Sequence, residues 1–207
     1  MGDFNFRHFG RSSAWAPNNP GIDNPLGIGF ISQYITRESG MPLRGEKMKN
    51  FLELIRGCLT NVTEIMPWDL EQRLTENPDL LIVDVREPDE YAAMHIAGSL
   101  NVPRGILESA CEWDYEETIP ELVRAREREV VLVCRSGYRS VLAASSMQVL
   151  GYRQVASLQT GLRGWKDYEQ PLVDAAGSDV DLDDADIYFT PKLRPEQRKP
   201  ASAPVAT

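Results

Sequence analysis

The sequence has little of what defines several large protein classes. Its 207 residues include only three cysteines and two histidines. It contains no run of about 18 apolar residues, so no membrane-spanning helix is predicted. Basic residues are outnumbered, 22 against 31 acidic ones, and the net charge of −9 argues against nonspecific nucleic-acid binding.

The small numbers of cysteines and histidines also indicate a cellular compartment and limit the possible metal sites. The cysteines Cys58, Cys111 and Cys134 are widely spaced, which favours a reducing, cytoplasmic setting over a disulfide framework. Because there is no Cys-x-x-Cys pair and few histidines, ligands for zinc are scarce and we expect no metal. The start, MGDFNFRHFG, lacks the apolar core of a secretory signal.

The first part of the chain divides into an extension and a helix. Residues 1–47 are rich in Gly, Pro, Asn and Ser, without a sustained period, and are predicted to be loosely ordered. Met48 is an alternative start of the native chain, because a clean amphipathic helix opens there, over residues 48–61. The apolar residues predicted to share one face of this helix are Phe51, Leu52, Ile55 and Leu59.

Residues 62–173 alternate between strand and helix patterns. Leu80–Val83 and Val130–Val133 are continuous apolar runs, typical of strands buried on both faces. A helix is predicted over residues 120–127, where Pro occupies a favourable first position. The alternation predicts an α/β domain with a mainly parallel sheet covered by helices on both faces.

The end of the chain has a different composition. Residues 174–186 contain six aspartates, whose mutual repulsion opposes ordering, and a Pro-rich polar segment follows. We therefore predict a flexible tail over residues 174–207, acidic at first and then Pro-rich.

The segment CRSGYRS, residues 134–140, follows the second buried strand directly. Open parallel sheets bind ligands at this edge, where loop amides and a helix N-terminus attract negative charge. These groups and two nearby arginines favour a cysteine thiolate, which is a nucleophile. We predict Cys134 as the catalytic residue. The predicted substrate-binding residues are Arg135, Ser136, Gly137, Tyr138, Arg139 and Ser140.

Three ordered motifs resemble those of single-domain rhodaneses. CRSGYRS resembles the family's active-site loop, LLIVDVREPDEYAAMHIAGSLNVP its Asp-Val-Arg segment with the stretch that follows, and LQTGLRGWKDYEQPLV its closing helix. The resemblance covers roughly residues 62–173 and implies a five-stranded parallel sheet flanked by helices. It also implies catalysis through a cysteine persulfide. The acidic insertion at residues 111–118 and both terminal extensions depart from the family pattern, which leaves donor and acceptor open.

The resemblance implies a sulfurtransferase that needs no cofactor. Its expected donors are thiosulfate, glutathione persulfide or a protein persulfide, and small sulfur anions are its expected partners. One alternative is a sulfur-carrier module that works with a relay protein. Another is a phosphatase or arsenate reductase on the same fold, but Cys134 and Arg139 are separated by four residues and those phosphatases have five. Val133 also stands where those phosphatases typically have histidine.

Other candidate residues carry weaker signals. Asp84 and Arg86 follow the Leu80–Val83 strand, so they border the site or form a structural ion pair. His95 is interpreted as a structural hydrogen-bonding residue. Cys111 is interpreted as incidental, with a resolving thiol as the alternative.

Overall fold

The structure is a computed structural model that describes residues 50–200. Within them, the strands are β1 (Thr63–Ile65), β2 (Leu81–Asp84), β3 (Leu100–Asn101), β4 (Glu129–Val133) and β5 (Gln154–Leu158). The helices are α1 (Phe51–Cys58), α2 (Pro67–Glu76), α3 (Pro88–Ala93), α4 (Leu107–Ala110), α5 (Pro120–Val123), α6 (Tyr138–Val149), α7 (Gly161–Asp167) and α8 (Leu182–Phe189). Short 3-10 turns cover Arg104–Ile106 and Pro195–Gln197. None of the helices in this range is long and apolar enough to cross a membrane.

The strands form one parallel sheet in the order β1-β5-β4-β2-β3. Central β4 pairs with β2, which sets Val133 beside Asp84, and with β5, which sets Leu132 beside Ser157. Successive strand residues point to opposite faces. Leu132 accordingly joins one apolar core and its neighbours Val131 and Val133 join the other. The predicted parallel sheet, buried on both faces, is confirmed.

Helices cover both faces of this sheet. Helices α1, α4, α5 and α6 contribute to one core through buried side chains that include Ile55, Leu107, Leu122 and Met147. Helices α2, α7 and α8 contribute to the other through Leu70, Trp165 and Phe189. Because both faces of the sheet are covered, the ends of its strands are where a functional site can form.

Helix α1 begins with a capping box in which Asn50 and Glu53 bond each other's backbone amides. Of its predicted apolar face, Ile55 is buried, whereas Phe51 and Leu52 remain about half exposed. The extension at residues 1–47 and the alternative start at Met48 lie outside the described residues.

Helix α5 is shorter than predicted. It ends at Val123 instead of near residue 127, and the Arg126 guanidinium donates to the carbonyl of Val123 at 3.2 Å. The amides of Ala125 and Arg128 bond carbonyls three residues back, so the chain continues as turns.

The acidic segment contains a helix where the sequence predicted a flexible tail. Ala185 and Phe189 of α8 are buried against the domain, and Lys166 bridges to Asp186. Asp181 caps α8 by accepting from the Asp183 amide at 2.8 Å. Aspartates in a first helical turn are stabilised by the helix dipole, which the count of like charges conceals. Residues 201–207 of the predicted tail lie outside the described residues.

Candidate active site

Cys134 directly follows β4 at the carboxyl edge of the sheet, between the ends of β2 and β5. The next residues form a tight loop that leads into α6. Gly137 has a φ of 93°, a conformation that side-chain-bearing residues rarely adopt. We refer to residues 134–139, which contain the predicted nucleophile, as the nucleophile loop.

The Cys134 sulfur is almost completely buried, with 1% of the residue exposed. The Gly137 amide donates to Sγ at 3.2 Å, and Ser140 Oγ lies 3.5 Å from it. Ser140 Oγ also donates to the Gly137 carbonyl at 2.8 Å and accepts from Ser157 Oγ at 2.9 Å. Rotation of the Ser140 hydroxyl would let it donate to a thiolate, while Ser157 continues to donate to its oxygen.

Backbone amides around the nucleophile loop are available as donors. Among the described residues, no protein acceptor engages the amides of Arg135, Ser136, Tyr138, Arg139 or Ser140. The last three open the first turn of α6, a helix of 12 residues. Unpaired amides at a helix N-terminus form a ready site for an anion.

The start of α7 supports the back of the nucleophile loop. The Leu162 amide donates to the Cys134 carbonyl at 2.8 Å, and the Arg163 amide donates to the Arg135 carbonyl at 3.2 Å. Because a trans peptide directs its N–H opposite to its carbonyl, the amides of Arg135 and Ser136 point away from α7. A Cβ on Gly161 would lie 2.3 Å from the Cys134 carbonyl oxygen, so only glycine permits this packing.

Arg139 is held by a carboxylate that sequence reasoning missed. Its guanidinium donates to both oxygens of Glu90, at 2.6 and 2.8 Å. Partial burial raises the pKa of Glu90, but the hydrogen bond and charge of Arg139 outweigh it, and the pKa is lowered overall. Conversely, the hydrogen bond to Glu90 and the charges of Glu90 and Cys134 raise the pKa of Arg139. Partial burial lowers that pKa, but by less, so the pKa of Arg139 is raised overall. The positive charge of Arg139 therefore interacts with Cys134, but Arg139 is already paired with Glu90.

Asp84 and Arg86 form a fully buried ion pair, with an Nη2–Oδ2 distance of 2.6 Å. The same guanidinium donates to the carbonyls of Glu90 at 2.8 Å and Met94 at 2.6 Å. It therefore connects the end of β2 with α3 and with Met94, the residue that follows α3. This geometry matches the structural-pair interpretation, and it also holds the backbone that presents Glu90 to Arg139.

The Arg135 side chain turns away from the sulfur. It donates to the Phe189 carbonyl at 2.8 Å and to the Tyr188 carbonyl at 3.4 Å, at the end of α8. It also lies over both aromatic rings, 5.4 Å from that of Phe189 and 5.8 Å from that of Tyr188. Sequence reasoning counted Arg135 among the substrate-binding residues, but only its backbone amide remains available to a ligand.

Ser136 and Tyr138 line an opening of about 330 Å³ beside the nucleophile loop. Arg163 and Asp167 of α7 line the same opening. The partly exposed Tyr138 ring meets Phe51 of α1 edge-on, with centroids 5.7 Å apart. These residues form an aromatic and mixed-charge rim around the loop.

The remaining candidates lie outside this arrangement. Cys111 is fully buried in the core, and burial raises the pKa of its thiol. His95 Nδ1 lies 3.0 Å from the Tyr91 carbonyl and its ring stacks on Tyr91, which fits a structural role. Across residues 50–200, no group of three or more His, Cys, Asp or Glu residues is arranged to hold a metal ion.

Three residues of the arrangement were missed: Glu90, Gly161 and Ser157. Glu90 and Gly161 lie within the motifs that carry the family resemblance, so those motifs contained a signal for them. Ser157 lies between Ala156 and Leu158 in β5, and these apolar neighbours indicate only that the position is buried.

Comparisons with known proteins agree with this geometry. A family model described as the Rhodanese-like domain matches residues 66–168. A sulfurtransferase of Allochromatium vinosum is 34% identical over 116 residues, which cover 56% of this chain and 99% of the relative. A mitochondrial protein of Schizosaccharomyces pombe, provisionally named a thiosulfate sulfurtransferase, is 33% identical over 48% of this chain and 72% of its own length.

One solved structure carries a different functional suggestion. A protein of unknown function from Rhodopseudomonas palustris, described as a possible tyrosine phosphatase, aligns with a TM-score of 0.55 and 26% identity. The alignment covers 64% of this chain and 98% of that protein.

Proposed function

This chain belongs to the rhodanese-like family, and we propose that it is a sulfurtransferase that carries sulfane sulfur as a persulfide on Cys134. One observation carries the proposal. The Cys134 thiol lies at a helix N-terminus, next to backbone amides that have no acceptor within residues 50–200, and its sulfur accepts from the Gly137 amide. Amides arranged in this way bind negatively charged groups, of which the terminal sulfur of a persulfide is one.

The proposed first step loads the enzyme. The Cys134 thiolate attacks the outer sulfur of a donor, a new S–S bond forms, and the rest of the donor leaves with the electron pair of the broken bond. The product is Cys134–S–S⁻. The amides that follow Cys134 donate to its terminal charge, the Ser140 hydroxyl lies against Sγ, and the charge of Arg139, which interacts with that of Cys134, offsets the negative charge.

The second step unloads it. A thiophilic acceptor attacks the terminal persulfide sulfur, takes it, and returns Cys134 as thiolate. Cyanide serves as such an acceptor in an assay, and a thiol or a relay protein serves in the cell. Neither displacement requires a metal or an organic cofactor, and double-displacement kinetics are expected. The chemistry needs a reduced cysteine, which fits a cytoplasmic location.

The family relatives support this assignment. The Allochromatium vinosum relative is named a sulfurtransferase and is covered over nearly its whole length. The name of the Schizosaccharomyces pombe protein points to thiosulfate as a donor worth testing first.

Cys134→Ala tests the proposal when assayed with thiosulfate or glutathione persulfide as donor and cyanide as acceptor. Transfer should be abolished with the fold retained. Cys58→Ala is the matched control, since Cys58 is a free, partly buried thiol in α1. Near-wild-type transfer by the Cys134 variant, measured as thiocyanate formed, would eliminate the mechanism.

A phosphatase is the second candidate, favoured by the Rhodopseudomonas palustris neighbour. The four residues between Cys134 and Arg139 form a shorter loop than phosphate chemistry typically uses, so we rank it below sulfur transfer. Hydrolysis of an aryl phosphate that depends on Cys134 would reverse this order.

A further inference from the structure

Both arginines of the nucleophile loop already have partners. Arg139 is bound through two hydrogen bonds to Glu90, and Arg135 donates to main-chain carbonyls at the end of α8. A helix C-terminus carries a partial negative charge, so the charge of Arg135 is also partly offset. Neither guanidinium is free to receive an anionic ligand without losing these contacts.

Two further ion pairs lie near the loop. Arg86 is paired with Asp84 behind the loop. At the opening beside the loop, Asp167 is paired with Lys166, whereas Arg163 has no acidic partner within residues 50–200. Because Glu90 pairs with Arg139, a strongly anionic molecule meets no unpaired charge on Arg139, and the backbone amides of the loop remain as donors for a small negative charge.

Possible donors differ in how much negative charge they bring. Thiosulfate is a dianion, and its reaction with a thiolate releases another dianion, sulfite, from the same small cradle. A thiol persulfide brings at most one negative charge at its reacting end. In that reaction Cys134–S⁻ attacks the outer sulfur of R–S–SH, the R–S to sulfur bond breaks, and R–S⁻ leaves. The proton of the outer sulfur passes to R–S⁻, which gives R–SH and Cys134–S–S⁻ without an oxidant or a reductant. Repulsion with the thiolate is weaker for the persulfide.

We propose that the donor of this sulfurtransferase is a thiol persulfide rather than a sulfur oxyanion, and that Glu90 sets this preference by occupying Arg139. The inference rests on the function proposed above and narrows its donor class. Glu90 excludes dianions in two ways: it adds a negative charge near the site, and it occupies the donors that an oxyanion would otherwise bind.

Glu90→Gln tests the inference. The amide keeps an oxygen to accept from Arg139 and from the Glu87 backbone amide, but it removes the charge. We expect the ratio of kcat/KM for glutathione persulfide to that for thiosulfate to fall by about tenfold, the scale of one hydrogen bond to a charged group. The change should come mainly from a lower KM for thiosulfate. Comparing ratios cancels the difference in intrinsic reactivity between the two donors.

Glu108→Gln is the matched control. Glu108 pairs with Arg104 through two hydrogen bonds on α4, away from the nucleophile loop, so its variant should leave the ratio unchanged. Thermal unfolding of both variants separates a change in specificity from a loss of fold.

The possible outcomes are distinguishable. If wild-type protein prefers thiosulfate, or if Glu90→Gln leaves the ratio unchanged while folding normally, the donor inference is overturned and sulfur transfer stands. If neither donor adds sulfur to Cys134, the proposed function itself fails.

Discussion

The two sides of the nucleophile loop use the same residue type differently. On the side of α8, the Arg135 guanidinium reaches main-chain carbonyls and two aromatic rings. On the side of α3, the Arg139 guanidinium binds a carboxylate that lies 49 residues earlier in the chain. The first contact fastens a terminal helix to the loop, and the second places a paired charge near the sulfur.

The difference shows that the partner, rather than the residue type, decides what a loop arginine does. A guanidinium bound to neutral carbonyls holds two segments together and keeps its net charge. One bound to a carboxylate can be released by changing that carboxylate. We therefore assign donor specificity to the α3 side and the anchoring of the loop to the α8 side.

Of the substitutions on the α3 side, removal of Arg86 should cause the largest loss of stability. Arg86→Met leaves the fully buried Asp84 without its partner, and losing one member of a buried pair costs about 3–5 kcal/mol of unfolding free energy. Urea denaturation measures the loss. The double variant Asp84→Leu/Arg86→Met should recover part of it, because no unpaired charge remains. Equal losses in the two variants would contradict this account of the pair.

Arg139→Ala should reduce sulfur-transfer activity. It removes the charge that offsets the persulfide and leaves Glu90 unpaired near the sulfur, so transfer should weaken by about 2–4 kcal/mol in transition-state free energy. Steady-state transfer kinetics check the size of the loss.

Adding Glu90→Gln to Arg139→Ala sharpens this prediction. If part of the loss comes from the unpaired carboxylate, the double variant should be more active than Arg139→Ala alone. Additive effects of the two substitutions would argue that the residues act independently.

Arg135→Ala should affect the α8 side and leave the chemistry largely intact. Losing hydrogen bonds from a charged group should cost about 1–3 kcal/mol of stability. Amide hydrogen exchange should rise across Leu182–Phe189, while transfer should fall far less than in Arg139→Ala. If transfer collapses with exchange at α8 unchanged, the guanidinium of Arg135 acts on substrate instead.

Acid should produce the smallest effect, and it should act on the Arg139–Glu90 pair, because the carbonyls that bind Arg135 do not titrate. Because the pKa of Glu90 is lower in the folded chain, the unfolded chain binds its proton first as pH falls. The pair's stabilisation is therefore complete above the ordinary glutamate pKa of about 4.3 and disappears as pH drops through the lower folded value.

The measurement compares wild type with Glu90→Gln by chemical denaturation. The pair is partly exposed, so the stability difference should be about 1 kcal/mol or less near neutral pH. It should shrink on acidification below about pH 4. A difference that grows under acid would contradict the assigned direction.

The sequence predicted the parts of this structure that depend on local patterns. The apolar runs of β2 and β4 located the sheet, and the position of Cys134 after β4 located the loop. The Arg139–Glu90 contact could not be predicted from local pattern, because it depends on how α3 packs beside α6. The fold of α8 was missed because burial of Ala185 and Phe189 outweighs the repulsion of nearby aspartates.

Dependence on distant packing also explains why the side chain of Arg135 was expected to bind substrate. Its position one residue after Cys134 suggested a contact with substrate. The direction of its side chain depends on α8, which belongs to a segment beyond the matched family region at residues 66–168. Proximity in sequence indicated the right loop but not the right partner.

Intact mass spectrometry after incubation with glutathione persulfide tests the central claim most directly. The account predicts that wild-type protein gains the mass of one sulfur atom, that peptide mapping assigns it to Cys134, and that Cys134→Ala gains none while Cys58→Ala does. A sulfur gain that persists in Cys134→Ala, or no gain in folded wild-type protein, would contradict it.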